Sequence, residues 1–161
     1  MNRSFRVRTI DDWLAEYNES HQHPGNKLLH WFCVPLIVVS LIGLLCALPV
    51  PGSAGDLPLT ANWGVLIVLA TLCYYFLLSP LLALGMVIIA VLVLAAVSWL
   101  NSLATHMWMI CAVIFGVSWI GQFWGHVLER KSPSFFKDVQ FLMIGPLWLL
   151  AHTYRRLGIR Y

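Results

Sequence analysis

The chain has six histidines, and neutral imidazole is the side chain most often used to bind transition metals in proteins. Three of the six histidines, at positions 21, 23 and 30, lie in one short segment near the N-terminus. His126 and His152 follow much later. Imidazole suits iron, zinc and copper. If the fold brings these segments together, they form a metal site.

The composition is that of an integral membrane protein. Of the 161 residues, 60% are hydrophobic and only 11% are charged, whereas a soluble domain of this length carries a far more charged surface. The length predicts one compact bundle, so we expect a single domain over residues 1–161. The net charge of +3 is small, and the basic residues lie near the two ends, where lipid headgroups would be. Nucleic acid is therefore not expected as a partner.

Four apolar stretches predict membrane spans at about 28–50, 63–79, 81–100 and 104–125. Ser79-Pro80 should separate the second span from the third, and Asn101-Ser102 should form a tight turn before the fourth. A last apolar segment at 141–151 is short for a span and contains Gly145-Pro146, which favours a re-entrant or interfacial helix.

A short helix should precede the first span. Thr9 to Asp12 resembles a capping box, and Trp13, Tyr17 and His21 share one helical face. Such a helix suits the membrane surface and should end near His21 or Gln22, because Pro24 disfavours helical backbone at the residue before it. Asn26 is the expected N-cap of the next helix. The predicted fold class is all-α: a polytopic membrane helical bundle with four transmembrane helices, an N-terminal interfacial helix and a C-terminal re-entrant or interfacial helix.

The positions of the basic residues predict the orientation. They precede the first span and follow the fourth, at Arg3, Arg6, Arg8, Lys27, Arg130, Lys131 and Lys137. Both termini should then be cytoplasmic.

This topology brings five histidines to the cytoplasmic side: His21, His23, His30, His126 and His152. His106 lies twenty residues before His126 in the fourth span, roughly 30 Å away along a helix, and should lie on the far side. The five are therefore candidate metal ligands. Glu129, one turn after His126, is a candidate ligand, hydrogen-bond acceptor or proton acceptor, unless it pairs with a neighbouring cation. Gln122, one turn before His126, orients it or faces another helix.

Two motifs carry a resemblance to a known family. Tyr17-xxx-His21-xxxx-Asn26-xxx-His30-xxxx-Pro35, followed by Gln122-xx-Gly125-His126-xx-Glu129-xxx-Pro133, resembles the fungal 2-hydroxy-fatty-acid dioxygenases of phytosphingosine breakdown and their bacterial and plant relatives. The resemblance implies an Fe(II)-dependent enzyme that uses O₂ to shorten a 2-hydroxy fatty acid by one carbon. His21, His30 and His126 match the family's histidines, and His23 and His152 do so less closely.

The resemblance also implies a substrate position and a location. The acyl tail would lie among the spans in the lipid bilayer. Lys27, Arg130 or Lys131 could attract the carboxylate, although an ordinary membrane-edge charge is the simpler interpretation of each. Glu129 would serve as the catalytic residue that positions a proton or a ligand. The membrane would be the bacterial inner membrane, or the endoplasmic reticulum in a eukaryote. Two other classes stay open: a haem-binding membrane electron carrier, and a non-catalytic lipid-binding or scaffold protein.

Overall fold

The structure is a computed structural model that describes residues 8–50, 62–103, 106–132 and 140–161, and every regular element in these ranges is an α-helix. The six helices are α1 (Ile10–Glu19), α2 (Pro24–Cys46), α3 (Trp63–Leu78), α4 (Pro80–Leu103), α5 (Met107–Glu129) and α6 (Phe141–Arg156). The all-α prediction is therefore confirmed. Within these ranges α2, α4 and α5 are long and apolar enough to cross a membrane, which fits a membrane protein.

The helix boundaries follow the sequence prediction in part. Ser79 is extended and Pro80 begins α4, as expected. The turn predicted at Asn101-Ser102 is wrong, because α4 continues to Leu103 and the Ser102 hydroxyl donates a hydrogen bond to the Trp99 carbonyl within the helix. Helix α3 has only 16 residues. The count of four spans stays a prediction, and so do the interfacial roles of α1 and α6.

Helices α2 and α5 pack closely because small residues face the partner helix. A Cβ added at Gly43 would meet Cys111, one at Gly121 would meet Cys33, and one at Gly125 would overlap the Asn26 side chain. Small residues at the interface let two membrane helices approach each other closely. The paired positions rise along one helix as they fall along the other, so the helices are antiparallel. The first turns of α2 and the last turns of α5 therefore lie at the same end of the bundle.

The other helices form a second core beside this pair. Residues of α3 and α4, including Tyr75, Leu82 and Met86, are buried in one cluster with Ile144 and Leu147 of α6. The Tyr75 hydroxyl donates a hydrogen bond of 2.7 Å to the carbonyl of Met143. Helix α6 is thereby held against the α3–α4 pair.

Helix α1 uses its apolar face inside the protein. The capping box predicted at its start is present, with Thr9 and Asp12 as the reciprocal partners. Trp13 and Tyr17 are buried, and the Trp13 ring meets the edge of the Phe141 ring of α6 at 5.3 Å. The helix ends at Glu19, slightly earlier than predicted, which leaves His21 in the linker before α2.

The N-cap of α2 differs from the prediction. His23 is the N-cap, with its Nδ1 accepting from the amide of Gly25, and Pro24 occupies the first helical position. Asn26 was predicted to be the cap, but it lies inside the first turn because the helix begins at Pro24, three residues earlier than a cap at Asn26 would allow. Its side-chain amide is thus free to donate elsewhere. His30 lies on the second turn, as predicted.

Candidate metal centre

Three of the five predicted histidines meet in the interior. His21 comes from the α1–α2 linker, His30 from α2 and His126 from α5, and all three are buried. One ring nitrogen from each lies within 4.8 Å of the other two. The antiparallel packing of α2 and α5 brings His30 and His126 together. The linker between α1 and α2 lies beside them and contributes His21.

Backbone carbonyls fix the protonation of two of these rings. Nδ1 of His21 lies 2.6 Å from the Tyr17 carbonyl oxygen, and Nδ1 of His30 lies 3.0 Å from the Asn26 carbonyl oxygen. A carbonyl only accepts, so each Nδ1 must carry the hydrogen and donate it. In the neutral ring the lone pair is then on Nε2. Histidines that bind metals usually donate their other ring N–H to a carbonyl or carboxylate in this way, which fixes the orientation of the ring.

The two free lone pairs face each other. Nε2 of His21 lies 2.9 Å from Nε2 of His30, and two acceptors at that distance repel unless a cation lies between them. Two imidazole nitrogens bound at right angles to one metal, each about 2.1 Å from it, lie about 3 Å apart. A shared proton is the alternative, but burial lowers the pKa of His21 to about 4 and disfavours the charged ring at neutral pH. The spacing therefore fits a metal ion.

The third histidine is also uncommitted. Nδ1 of His126 is buried and has no hydrogen-bond partner in the part of the chain that the structure describes. A buried polar atom without a partner is unfavourable by about 1–3 kcal/mol, which a ligand could offset. Three neutral imidazoles that leave positions open for other molecules suit a divalent transition metal such as iron, zinc or copper.

Aromatic rings hold the linker histidine in place. The Tyr17 ring stacks on the His21 ring, with centroids 4.1 Å apart and planes 12° apart. Trp148 of α6 covers the same histidine at 5.6 Å. The position of His21 thus depends on α1 and α6 as well as on its own backbone.

Glu129 ties the linker to the end of α5. Its carboxylate accepts from the backbone amides of Gln22 at 2.8 Å and His23 at 2.7 Å, and from the Asn26 side-chain amide at 3.2 Å. Glu129 therefore contacts the segment that carries His21, and it lies outside the group of three histidines. Lys131 adds a second tie, because its ammonium donates to the Glu19 carbonyl at 2.8 Å.

The remaining predicted site residues lie elsewhere. His23 is exposed and caps α2, and His152 packs beside Trp31 and Trp148 with ring centroids about 6 Å away, so neither joins the three-histidine group. Lys27 is half-buried, and Arg130 is exposed in a left-handed conformation that ends α5. His106 precedes α5 at its opposite end, outside the group.

A small cavity adjoins the histidines. Its volume is about 70 Å³, and its lining includes all three of them together with Tyr17 and Gln122. The rest of its wall is mainly apolar, with Val34, Ile37 and Val38 on one face of α2 and residues of α6 opposite. The sequence indicated that Gln122 shares a helix face with His126, but its burial in this cavity depends on α6, whose approach no local pattern reveals.

Acid should destabilise the metal-free protein through His21. Its folded pKa of about 4 lies below the ordinary value of 6.5, so on acidification the unfolded chain binds the proton first. The contribution of the neutral ring is complete above pH 6.5 and is lost as the pH falls from 6.5 to 4, by at most about 3 kcal/mol. Melting temperatures in detergent with a chelator should fall over this interval. A His21→Asn variant should show a shallower decline, and equal slopes for the two proteins would contradict the assignment.

Nearly the whole chain matches the sequence model of a known family. The sequence model of the Mpo1-like family, described as "2-hydroxy-palmitic acid dioxygenase Mpo1-like", matches residues 7–79 and 81–157. No curated protein and no solved structure is detectably similar.

Proposed function

The chain belongs to the Mpo1-like family, and from this premise we propose that it is a membrane dioxygenase that shortens 2-hydroxy fatty acids by one carbon with Fe(II) and O₂. The observation that carries the proposal is the pair of imidazole lone pairs facing each other at 2.9 Å beside a third buried histidine. The family description supplies the substrate class, and the donor set supplies a place for the metal.

His21, His30 and His126 would hold the iron. Bound there, Fe(II) would supply the activation of O₂ toward an organic substrate, which protein side chains alone do not provide. The backbone bonds to the two Nδ1 atoms keep these rings neutral and oriented. In this proposal His23 caps α2, His152 lies outside the ligand set, and Glu129 positions the His21 segment instead of transferring a proton.

The cavity would orient the substrate. The 2-hydroxy acid head would lie beside the histidines, and the acyl chain would follow the apolar wall of α2 past Val34, Ile37 and Val38. A cavity of about 70 Å³ is far smaller than the roughly 300–1,000 Å³ that encloses a drug-sized ligand. Most of the acyl chain would therefore extend between the helices toward lipid. Lys27 and Arg130 would attract the carboxylate only at the membrane edge.

The net reaction balances without an external reductant. The bond between C1 and C2 of the acid breaks, C1 leaves as CO₂, and C2 becomes the carboxyl carbon of the shorter acid. The substrate gives up four electrons, and O₂ accepts them. The three oxygen atoms of the 2-hydroxy acid and the two of O₂ account for the five oxygen atoms in the shorter acid, CO₂ and water. Each turnover thus converts one 2-hydroxy acid and one O₂ into a shorter fatty acid, CO₂ and water.

The proposal includes an orientation in the membrane. The basic residues flanking the first and last spans favour cytoplasmic termini, which would put the histidine site at the cytoplasmic face of the bacterial inner membrane, or of the endoplasmic reticulum in a eukaryote. The substrate would then enter from the cytoplasmic leaflet.

One of the two alternative functions fits the geometry poorly. A haem held between two histidines needs space for its macrocycle between the ligand nitrogens, but Nε2 of His21 and Nε2 of His30 are 2.9 Å apart. The lipid-binding scaffold stays as the competing function. Conversion of substrate to product distinguishes an enzyme from such a scaffold.

The proposal is tested by product analysis. Protein loaded anaerobically with Fe(II) is given 2-hydroxyhexadecanoate labelled with ¹³C at C1, under ¹⁸O₂. We expect ¹³CO₂, together with pentadecanoate that contains no ¹³C and carries ¹⁸O. No product should form under argon, and none should form from hexadecanoate. Absence of O₂-dependent pentadecanoate from iron-loaded protein would contradict the proposal and favour the scaffold.

A further inference from the structure

Gln122 is a buried polar side chain in the wall of the cavity, and its amide nitrogen has no partner among the described residues. It is only 6% exposed, and its Nε2 has no hydrogen-bond partner in the described part of the chain. Most buried amides are hydrogen-bonded, because an unpaired one is unfavourable. An unpaired amide in the wall of a cavity indicates that the partner is a molecule that binds there.

The position of Gln122 places that partner next to the metal centre. Gln122 is one helical turn before His126, so both side chains lie on the same face of α5. Both line the same cavity, together with His21 and His30. A ligand held by the amide would therefore lie beside the three histidines.

The charge of the cavity wall indicates what such a ligand needs from Gln122. No lysine, arginine, aspartate or glutamate is found among its lining residues in the described ranges. Most of the other lining residues are aliphatic or aromatic, and the Lys27 and Arg130 side chains lie outside. A carboxylate that enters this space must be met by neutral N–H and O–H donors in addition to any metal. The amide of Gln122 offers two N–H donors.

We propose that Gln122 binds the substrate carboxylate and so selects 2-hydroxy acids over uncharged 2-hydroxy lipids. This inference rests on the proposed function and adds a residue that determines substrate specificity. The hydrogen bond is charge-assisted and lies in a mostly apolar space, where it is stronger than one between neutral groups.

A different role for Gln122 would be to orient His126, since Nδ1 of that histidine is also unpartnered. The two roles predict different measurements. Loss of an orienting residue lowers metal affinity and kcat with little effect on the choice of ligand. Loss of a carboxylate donor leaves the metal in place, raises KM, and weakens the binding of acids much more than that of alcohols.

The test compares 2-hydroxyhexadecanoate with 1,2-hexadecanediol, which keeps the hydroxyl and the chain but lacks the carboxylate. Dissociation constants are measured by calorimetry in detergent, under anaerobic conditions, on iron-loaded wild type and on Gln122→Leu. We expect about a 10- to 100-fold loss of acid affinity in the variant, with diol affinity changed by less than about threefold and the iron content retained. Ser118→Ala, a buried change one turn away on α5, is the matched control and should keep the wild-type preference.

Gln122→Met is measured beside Gln122→Leu in case the branched side chain disturbs packing, and the ratio of acid to diol affinity within each protein does not depend on the folded fraction. An unchanged ratio in the folded variants overturns the inference, and so does a fall in iron content with an unchanged ratio. A wild type that binds the acid but does not convert it would refute the dioxygenase proposal while leaving this comparison valid.

Discussion

Replacing His30 by alanine is expected to remove both the iron binding and the dioxygenase activity that we propose. His30 supplies one of the two lone pairs that face each other at 2.9 Å, and no other described side chain is placed to replace it. Changes to residues that merely orient metal ligands lower affinity or activity by about 10- to 100-fold, so loss of a ligand itself should exceed about 100-fold. His21→Ala and His126→Ala should behave in the same way. Iron is measured by mass spectrometry after anaerobic loading, and turnover is measured on the same samples.

Two other histidines serve as matched controls. His106 is at the opposite end of α5, and His23 is an exposed helix cap. His106→Ala should keep wild-type iron and activity. His23→Asn, which preserves a capping side chain, should lose less than about threefold. Iron retained at the wild-type level in His21→Ala, His30→Ala and His126→Ala alike would contradict the three-histidine site.

Replacing Glu129 by alanine should weaken the site without removing any of its ligands. The carboxylate accepts three hydrogen bonds from the linker and from Asn26, and the linker carries His21. Without them the linker amides lose their acceptor, and His21 is no longer held at a fixed distance from His30. We expect Fe(II) affinity to fall by about 10- to 100-fold, and saturating iron to restore much of the activity. The measurement is a competition titration against a chelator of known affinity.

The matched control is Glu19→Gln, which removes an exposed carboxylate from the same end of the bundle and leaves its backbone carbonyl available to Lys131. This variant should bind iron like the wild type. If Glu129→Ala binds iron normally but turns over slowly at every iron concentration, Glu129 acts on the substrate or on a proton, and the positioning role is wrong.

The sequence allowed the three histidines to be grouped because topology alone brings them to one end. The apolar stretches predicted long helices, and the four predicted crossings between His30 and His126, an even number, place the two on the same side. The break at Ser79-Pro80 and the capping box at Thr9 follow from local chemistry and were predictable for the same reason.

What could not be predicted depends on contacts between distant segments. His23 and His152 are predicted at the same end of the bundle as the other three histidines. Whether a side chain reaches the three-histidine group depends on packing at the ångström scale. The contacts of Glu129 could not be predicted either, because its partners include two backbone amides, which have no sequence signature. Asn26 looked like a cap, since that is its usual role, but the proline two residues before it moved the helix start.

The most direct test of the account is X-ray absorption of the wild-type protein after anaerobic loading with Fe(II). The account predicts one iron per chain with three imidazole nitrogens at about 2.1 Å and the remaining scatterers oxygen. The imidazole multiple-scattering signal should fall in a His126→Ala sample driven to occupancy with excess iron. Iron that is not retained, or iron surrounded by oxygen alone, would contradict the claim that these three histidines form a metal centre.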